Sequence, residues 1–424
     1  MFRHNLMPQM TTQFGSGTTP SSVSTVNQNL SIAVIPFSSL NPEGAGCFSD
    51  TVTESIVTGL AQFREFDIIG PLEEYKNSTV EIGALVRRYR ARFVLQGRVQ
   101  IYNGIIRVSA GLTDTGNGVK IWAQSYEYSK TVMNFIEIED DVTRRVVSAL
   151  VDYGGIIPCL ISQESMQKHL DNTDIQEAIF RQEQYLKVFT MDAYFAAVEA
   201  LEHAYKTNPD NALVLAMLCN AYCYNYVFDI GLETASLEKA ERLARRAASL
   251  DPECQILHFN KAILYFIKGQ SDFCVTELRM ATALNPFNAY IIYGSGMLFS
   301  MLGHWKEGLQ LWKQAMRSNP HYPSLDPFVP FMYHYFHGNY KKAWGYVQRF
   351  HIPVLWDPLM RAAAAGQLGF YDVAKTALQE LMEIRPDFPS RARDLMRRVV
   401  YLEEHVDLLL DGLLKAGLKL KVLK

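Results

Sequence analysis

Five groups of residues in this chain have types and spacings that chemistry uses. Cys219 and Cys223 stand four apart, and two thiolates on one helix face make half of a tetrahedral zinc site. His334 and His337 stand three apart, which also shares a helix face and suits one edge of a metal site. Gly294-Ser295-Gly296 has the small–nucleophile–small pattern of a nucleophile elbow. Arg87-Arg88-Tyr89-Arg90-Ala91-Arg92 is a basic run able to meet phosphates, and Arg391, Arg393, Arg397 and Arg398 form a second. None finds the partners its chemistry needs. No second cysteine pair or histidine lies at ligand spacing from Cys219 and Cys223. No acidic residue lies close to the histidines, and Tyr333, Tyr335 and Phe336 crowd them. The serine falls within a helical stretch and lacks the strand that precedes an elbow. Both arginine clusters read as solvated faces, the first at a helix end whose dipole favours cations. No phosphate loop, dinucleotide fingerprint or zinc ribbon is present. The expectation is a chain that is no enzyme and carries no metal or cofactor.

Composition bounds the rest. A length of 424 residues predicts about three domains. Hydrophobic residues are 48% and aromatic residues 12%, ample for buried cores. With a net charge of −3 there is no bulk attraction to nucleic acid or anionic lipid, so direct nucleic-acid binding is not expected. No apolar run reaches the roughly 20 residues that span a bilayer. Residues 1–29 are rich in Ser, Thr and Gln and lack the apolar stretch of an export signal, so they read as a disordered leader. Six cysteines in such a chain fit the reduced thiols of a cytoplasm.

The supporting elements fall into two kinds. Over 30–153 the pattern is β-α-β-α-β-β-β-α, a mixed sheet with helices against it. Ser31–Phe37 is a short apolar run, the mark of a strand covered on both faces. Val52, Ile56, Val57 and Leu60 recur at helical spacing within 48–63. Strand 66–69 and helix 80–89 follow, the helix capped by Ser78 or Thr79. Asn103-Gly104 joins strands 93–102 and 105–113 as a tight hairpin. A third strand, 119–128, precedes a helix over 135–151.

After a linker, 154–173, the chain becomes periodic. Asn208-Pro209, Asp251-Pro252, Asn285-Pro286 and Asn319-Pro320 place prolines at intervals of 43, 34 and 34. Thirty-four residues is the period of the tetratricopeptide helix–turn–helix unit. Ala262, Cys274 and Ala281, then Gly296, Gly308 and Ala315, occupy the positions where paired helices cross. Gly269, Gly303, Gly338 and Gly369 fall at the inter-helix turns, where a left-handed residue is needed. About six units over 174–389 make an all-α tetratricopeptide solenoid. The second is long by nine residues near 226–235. Residues 390–424 read as capping helices.

The stretches "IAVIPF" (32–37), "FSDTVTESIVTGLAQF" (48–63), "RFVLQGRVQ" (92–100) and "IWAQSYEY" (121–128) resemble the TolB-like amino-terminal module that precedes tetratricopeptide repeats in bacterial proteins. "DGLLKAGL" (411–418) is similar to the usual end of that family. Its members include relatives of class III adenylate cyclases and of ToxR- and HilA-type regulators. Those relatives carry a cyclase or DNA-reading domain upstream. Here about 29 residues precede the module, so the resemblance implies an output domain in a separate protein, or a shortened descendant.

The geometry of that family puts an inner row near Ile256, Phe259, Ile263 and Phe266, then Tyr290, Tyr293 and Met297, then Phe331 and His334. The row is aromatic and apolar and suits the apolar face of a helix or an extended peptide. Either an outside partner fills it, or the chain's own cap or α/β module does. The expected function is a non-catalytic regulatory adaptor that binds a protein or peptide. The alternative is a small-molecule-sensing subunit acting in trans on a cyclase or DNA-binding partner, with its ligand in the crevice between the halves.

Overall fold

A computed structural model of the chain describes residues 30–39, 42–76, 82–152, 155–165, 175–232, 236–318, 327–350 and 354–420. The leader, the Ser78/Thr79 cap and Pro320 lie outside them.

The first module contains β1 (Ser31–Val34), β2 (Ser38–Ser39), α1 (Pro42–Ala61), β3 (Asp67–Ile69), a 3-10 turn at Glu73–Tyr75, α2 (Ile82–Tyr89), β4 (Phe93–Tyr102), β5 (Ile105–Asp114), β6 (Val119–Ser129) and α3 (Phe135–Val151). The sheet order is β3-β1-β4-β5-β6, with β2 also pairing β4. The β3-β1-β4 pairs are parallel and the β4-β5-β6 meander is antiparallel. All four β1 residues are buried, because helices cover both faces of that strand. Helices α1 and α3 cover one face, packing Val52, Ile56, Val142 and Val146 against Leu95, Val108 and Leu112. On the other face, Leu85 of α2 meets Ala33, Ile35 and Val94.

The run read as one strand to Phe37 breaks after Val34. Phe37 turns inward over Gly97, where an added Cβ would come within 2.3 Å of its ring. Asn134 starts α3 with a capping box, its side chain accepting from Glu137 N at 2.9 Å while Glu137 accepts from Asn134 N. The stretch read as linker begins as a helix, α4 (Ile156–Ser165), and 166–174 lies outside the described residues.

Six helix pairs follow: α5 (Ile175–Val188) with α6 (Met191–Thr207), α7 (Ala212–Val227) with α8 (Leu237–Leu250), α9 (Gln255–Ile267) with α10 (Ser271–Leu284), α11 (Ala289–Met301) with α12 (Trp305–Ser318), α13 (Phe328–Phe336) with α14 (Tyr340–Val347), and α15 (Trp356–Leu368) with α16 (Tyr371–Ile384). Two more helices, α17 (Phe388–Arg397) and α18 (Glu403–Lys415), come after them. Caps come from Thr190, Asn211, Ser236 and Asn288, whose side chains each accept from a first-turn amide. Pairs close where side chains vanish: a Cβ on Gly296 would lie 2.8 Å from Gly308 O.

Among the described residues each of the six intra-pair turns holds a residue at positive φ just after its first helix, and the α7–α8 turn holds a second, Gly231. Gly269, Gly303, Gly338 and Gly369 do so in the later units. The first two units use Phe189 (φ 54°) and Asp229 (φ 52°) at the same place. A non-glycine residue there costs roughly 1 kcal/mol, so each must gain elsewhere. No helix among the described residues is long and apolar enough to cross a membrane.

Candidate functional site

The inner row is not an open groove. Phe259, Ile263, Phe266, Tyr293 and Phe331 are 2, 6, 6, 1 and 0% exposed. Tyr290, Met297 and His334 are half-buried. An open groove is therefore not what the row forms, and of the two outcomes left open it is covered within the chain, at both ends of the helices.

At the amino-terminal ends the α/β module is the cover. Asp152, at the end of α3, accepts from Tyr290 N in the first turn of α11 at 3.3 Å, and Ser148 Oγ donates to its other oxygen at 3.0 Å. A carboxylate from one half thus meets a helix N-terminus of the other, where charge and orphan amides favour it. Phe287 reaches the core between α1 and α3, beside Gly59. Asn285 Nδ2 donates to Gln62 O at 3.4 Å, and Arg64 pairs with Asp251. Phe259 sits against Tyr290, ring centroids 6.0 Å apart, in space left by Gly294.

At the carboxyl-terminal ends the chain's own tail crosses the turns in order. Tyr401 OH donates to Gly269 O at 3.1 Å and its ring lies 5.7 Å from that of Phe266. Leu402 lies beside Gly303. His405 stacks on Phe336 at 3.9 Å and meets Trp305 at 5.7 Å. Tyr335 OH donates to Leu408 O at 3.0 Å, and Gln367 Nε2 donates to Asp411 at 2.8 Å. Burial holds the His405 imidazole below its ordinary value. Folding therefore favours its neutral form, and the group opposes folding as the pH drops below about 6.5.

The start of the tail is fixed by charge. Arg385, Arg391 and Arg398 converge on Asp229 at 2.5, 2.6 and 2.8 Å. Asp387 and Asp394 balance the cluster at 3.1 and 2.9 Å from Arg391. Arg398 also donates to Tyr226 O at 2.7 Å and lies over the Tyr226 ring at 4.8 Å. The arginines hold the Asp229 carboxyl well below the usual carboxylate range, Arg391 contributing most. Arg391 and Arg398 of the second basic cluster therefore belong to a clasp, while Arg393 and Arg397 lie on the exposed face expected of them and pair there with Glu403.

Between the halves lies a small cavity of about 30 Å³, lined by Phe63, Glu65 and Phe66 on one side and Glu183, Asn220 and Tyr290 on the other. That space admits one or two waters and no metabolite. A ladder of amides floors it: Gln182 donates to Asn220, and Asn220 to Asn260, each at 2.9 Å. Burial, with Glu65 and Asp152 nearby, keeps the Glu183 carboxyl well above its ordinary value, and its Oε2 has no hydrogen-bond partner. A carboxyl raised on folding loses stability as the pH climbs past its unfolded value of about 4.3. A Glu183→Gln variant should therefore match the parent in urea unfolding near pH 4 and exceed it by about 1–2 kcal/mol at pH 8. Equal stability at both pH values would contradict this.

The remaining sequence candidates resolve into packing. Cys219 and Cys223 are both buried, and Ser295 is buried within α11. His334 stacks on Tyr346, while His337 Nδ1 meets Tyr333 O at 2.7 Å. No metal-binding cluster of His, Cys, Asp and Glu occurs among the described residues. In the first arginine run, Arg88 pairs with Glu74 at 3.3 Å and Arg92 lies over Phe93.

No family model matches the chain. Over 124 residues it is 34% identical to putative adenylate cyclase 3 of Rhizobium meliloti (strain 1021), covering 28% of this chain and 21% of that protein. The chain thus spans about a fifth of that relative's length. Among solved structures, Pseudomonas aeruginosa pilF overlays 52% of this chain and 95% of its own at 16% identity and a TM-score of 0.35. PilW, a type IV pilus biogenesis factor, overlays 60% and 98% at 16% and 0.36. Yeast Tom70 overlays 89% and 79% at 12% and 0.34. Nothing functional follows from overlays at this level.

Proposed function

We propose that this chain is a cytoplasmic, non-catalytic regulatory adaptor that binds a protein or peptide partner through its repeats, in bacterial signalling or transcription control. In this reading 30–153 is a TolB-like module, 174–389 the recognition stack and 390–424 its cap. The observation that carries it is a chain segment already held in cis at the carboxyl-terminal end of the inner helices, where it reaches the row at Phe266. Phe266 of the row, with Tyr335 and Phe336 at the end of α13, holds Tyr401, Leu408 O and His405 as a groove would take a partner segment. The segment enters through a clasp of charges on partly exposed side chains, which opens more readily than apolar packing. The partner takes the row from Ile263 and Phe266 to Met297 and His334 when residues 398–402 leave. The likeness to part of a putative bacterial adenylate cyclase supports a signalling setting; cyclase chemistry itself is not carried over. A junction cavity of about 30 Å³ favours the adaptor over a metabolite sensed there.

The test is affinity capture with crosslinking in the native host. Recovery of a partner should rise with Asp229→Asn and fall when a synthetic peptide of residues 396–418 competes. Absence of any protein whose recovery follows both manipulations would overturn the reading.

A further inference from the structure

A trough of about 810 Å³ lies on the sheet of the α/β half, within the range of small-molecule sites. Its origin is topological. The chain runs from β1 outward to β3 and then back across β1 to β4, so strand order reverses between β1 and β4. Open α/β sheets bind ligands at the carboxyl ends of strands at such a reversal. Here β1 stops at Val34, while β4 continues to Tyr102 and folds back as β5 and β6. On this face α2 packs only over the β3-β1-β4 side. The step is walled by Ile35, Pro36, Ser38, Ser39 and Tyr75, and floored by the meander.

The lining chemistry is one-sided. Gln96, Arg98, Gln100, Ser109, Lys120 and Ser125 face the trough, and no carboxylate does among the described residues. Neither Arg98 nor Lys120 enters an ion pair among the described residues. By contrast Arg107, one row along, is neutralised by Glu127 at 2.7 Å. The stem of Lys120 lies across β5 because Gly111 has no side chain there: an added Cβ would be 3.4 Å from Lys120 Cδ and Cε. Ser109 and Ser125 form a hydroxyl pair at 2.7 Å. Two cations with no ion pair among the described residues, set among amides and hydroxyls, match an anionic group on a polyol.

We propose that this trough binds a phosphorylated, hydroxyl-bearing small molecule, with Arg98 and Lys120 on the phosphate and the glutamines and serines on the hydroxyls. The inference goes beyond the adaptor reading and does not depend on it, because the titration needs no partner protein. The full chain is titrated by calorimetry with AMP, ribose 5-phosphate and adenosine. Saturable binding of AMP or ribose 5-phosphate, without adenosine, is the expected result. Tighter binding of AMP marks a nucleotide, with Tyr75 against the base; equal binding marks a sugar phosphate. Arg98→Ala with Lys120→Ala should weaken the bound phosphate ester about tenfold or more and remove most of its salt dependence. Both residues are exposed, so the variant is expected to fold as the parent does. No binding of either phosphate ester at millimolar concentration, equal binding of adenosine, or an unaffected double variant would overturn the proposal.

Discussion

An Asp229→Gly variant is expected to lose about 2 kcal/mol of stability and to free residues 398–402 from the inner row. The carboxylate accepts from three guanidinium groups at once, and no other acid lies at their centre. Removing it leaves Arg385, Arg391 and Arg398 facing one another, with only Asp387 and Asp394 to hold them. The pairs are partly exposed, so each contributes about 1 kcal/mol at most and salt weakens them. Glycine is the informative replacement because Asp229 sits at φ 52°, where the later units carry glycine. Asp229→Ala keeps the backbone strain and should cost about 1 kcal/mol more. The pH dependence has a definite sign. The folded carboxyl titrates below its unfolded value of about 3.9, so the clasp is fully stabilising above that value and fades as the pH falls through it. Urea unfolding should show a constant gap between parent and variant from pH 6 to 8, narrowing below about pH 4. A variant as stable as the parent at pH 7 would show that the clasp contributes nothing.

A Gly366→Val variant should have a still larger effect, a loss of about 3 kcal/mol or more. A Cβ at Gly366 would lie 2.1 Å from Gly412 O and 2.8 Å from Ala416 N. Both contacts are backbone, one on α18 and one on the residue that caps its end, so the helix must move away as a body. Gly412 faces the same constraint from Ala363 O at 2.7 Å. Separation of α15 and α18 would also remove the Tyr335–Leu408 hydrogen bond and uncover Leu409 and Leu413. Each large side chain returned to water costs about 1.5–3 kcal/mol, and the exposed surface should bind a hydrophobic dye. Gly345 is the control, since nothing lies within 4 Å of an added Cβ there. If Gly345→Val and Gly366→Val lower the melting temperature equally, the tight crossing of α15 and α18 is wrong.

Much of the architecture is legible where one local signal dominates. Asn103-Gly104 set the hairpin and both its strands, and the apolar period from Ile138 to Leu150 set α3 to its observed ends. The Gly269, Gly303, Gly338 and Gly369 turns announce themselves because glycine is the residue that adopts positive φ freely. Phe189 and Asp229 fill the same positions without that signal, so those turns cannot be read from residue type. The break after Val34 depends on Phe37 finding the gap over Gly97, a contact sixty residues distant in sequence. Helix α4 was hidden in a stretch without a long apolar period.

The inner row illustrates a different limit. Periodicity lines Phe259, Phe266 and Tyr293 along one inner face, but does not show whether that face is open or what covers it. An aromatic stripe looks the same whether a partner, an α/β module or the chain's own tail covers it. One clue was present at the tail: Asp387, Arg391, Asp394 and Arg398 alternate in sign along one helix face. That spacing signals a self-balanced charged face rather than a free basic patch. It cannot reveal Asp229, more than 150 residues earlier, as the centre of the cluster. The trough was equally invisible, because it is made by where β1 stops and not by any motif.

The most direct test of the account places one cysteine on each side of the proposed cover, Phe266→Cys with Tyr401→Cys. The two rings they replace are 5.7 Å apart between centroids. A short bifunctional thiol reagent should join the pair within single chains, rapidly in the parent background and more slowly when Asp229→Gly opens the clasp. Failure to join them within one chain, or joining only between chains, would contradict the claim that the tail occupies the inner row of its own repeats.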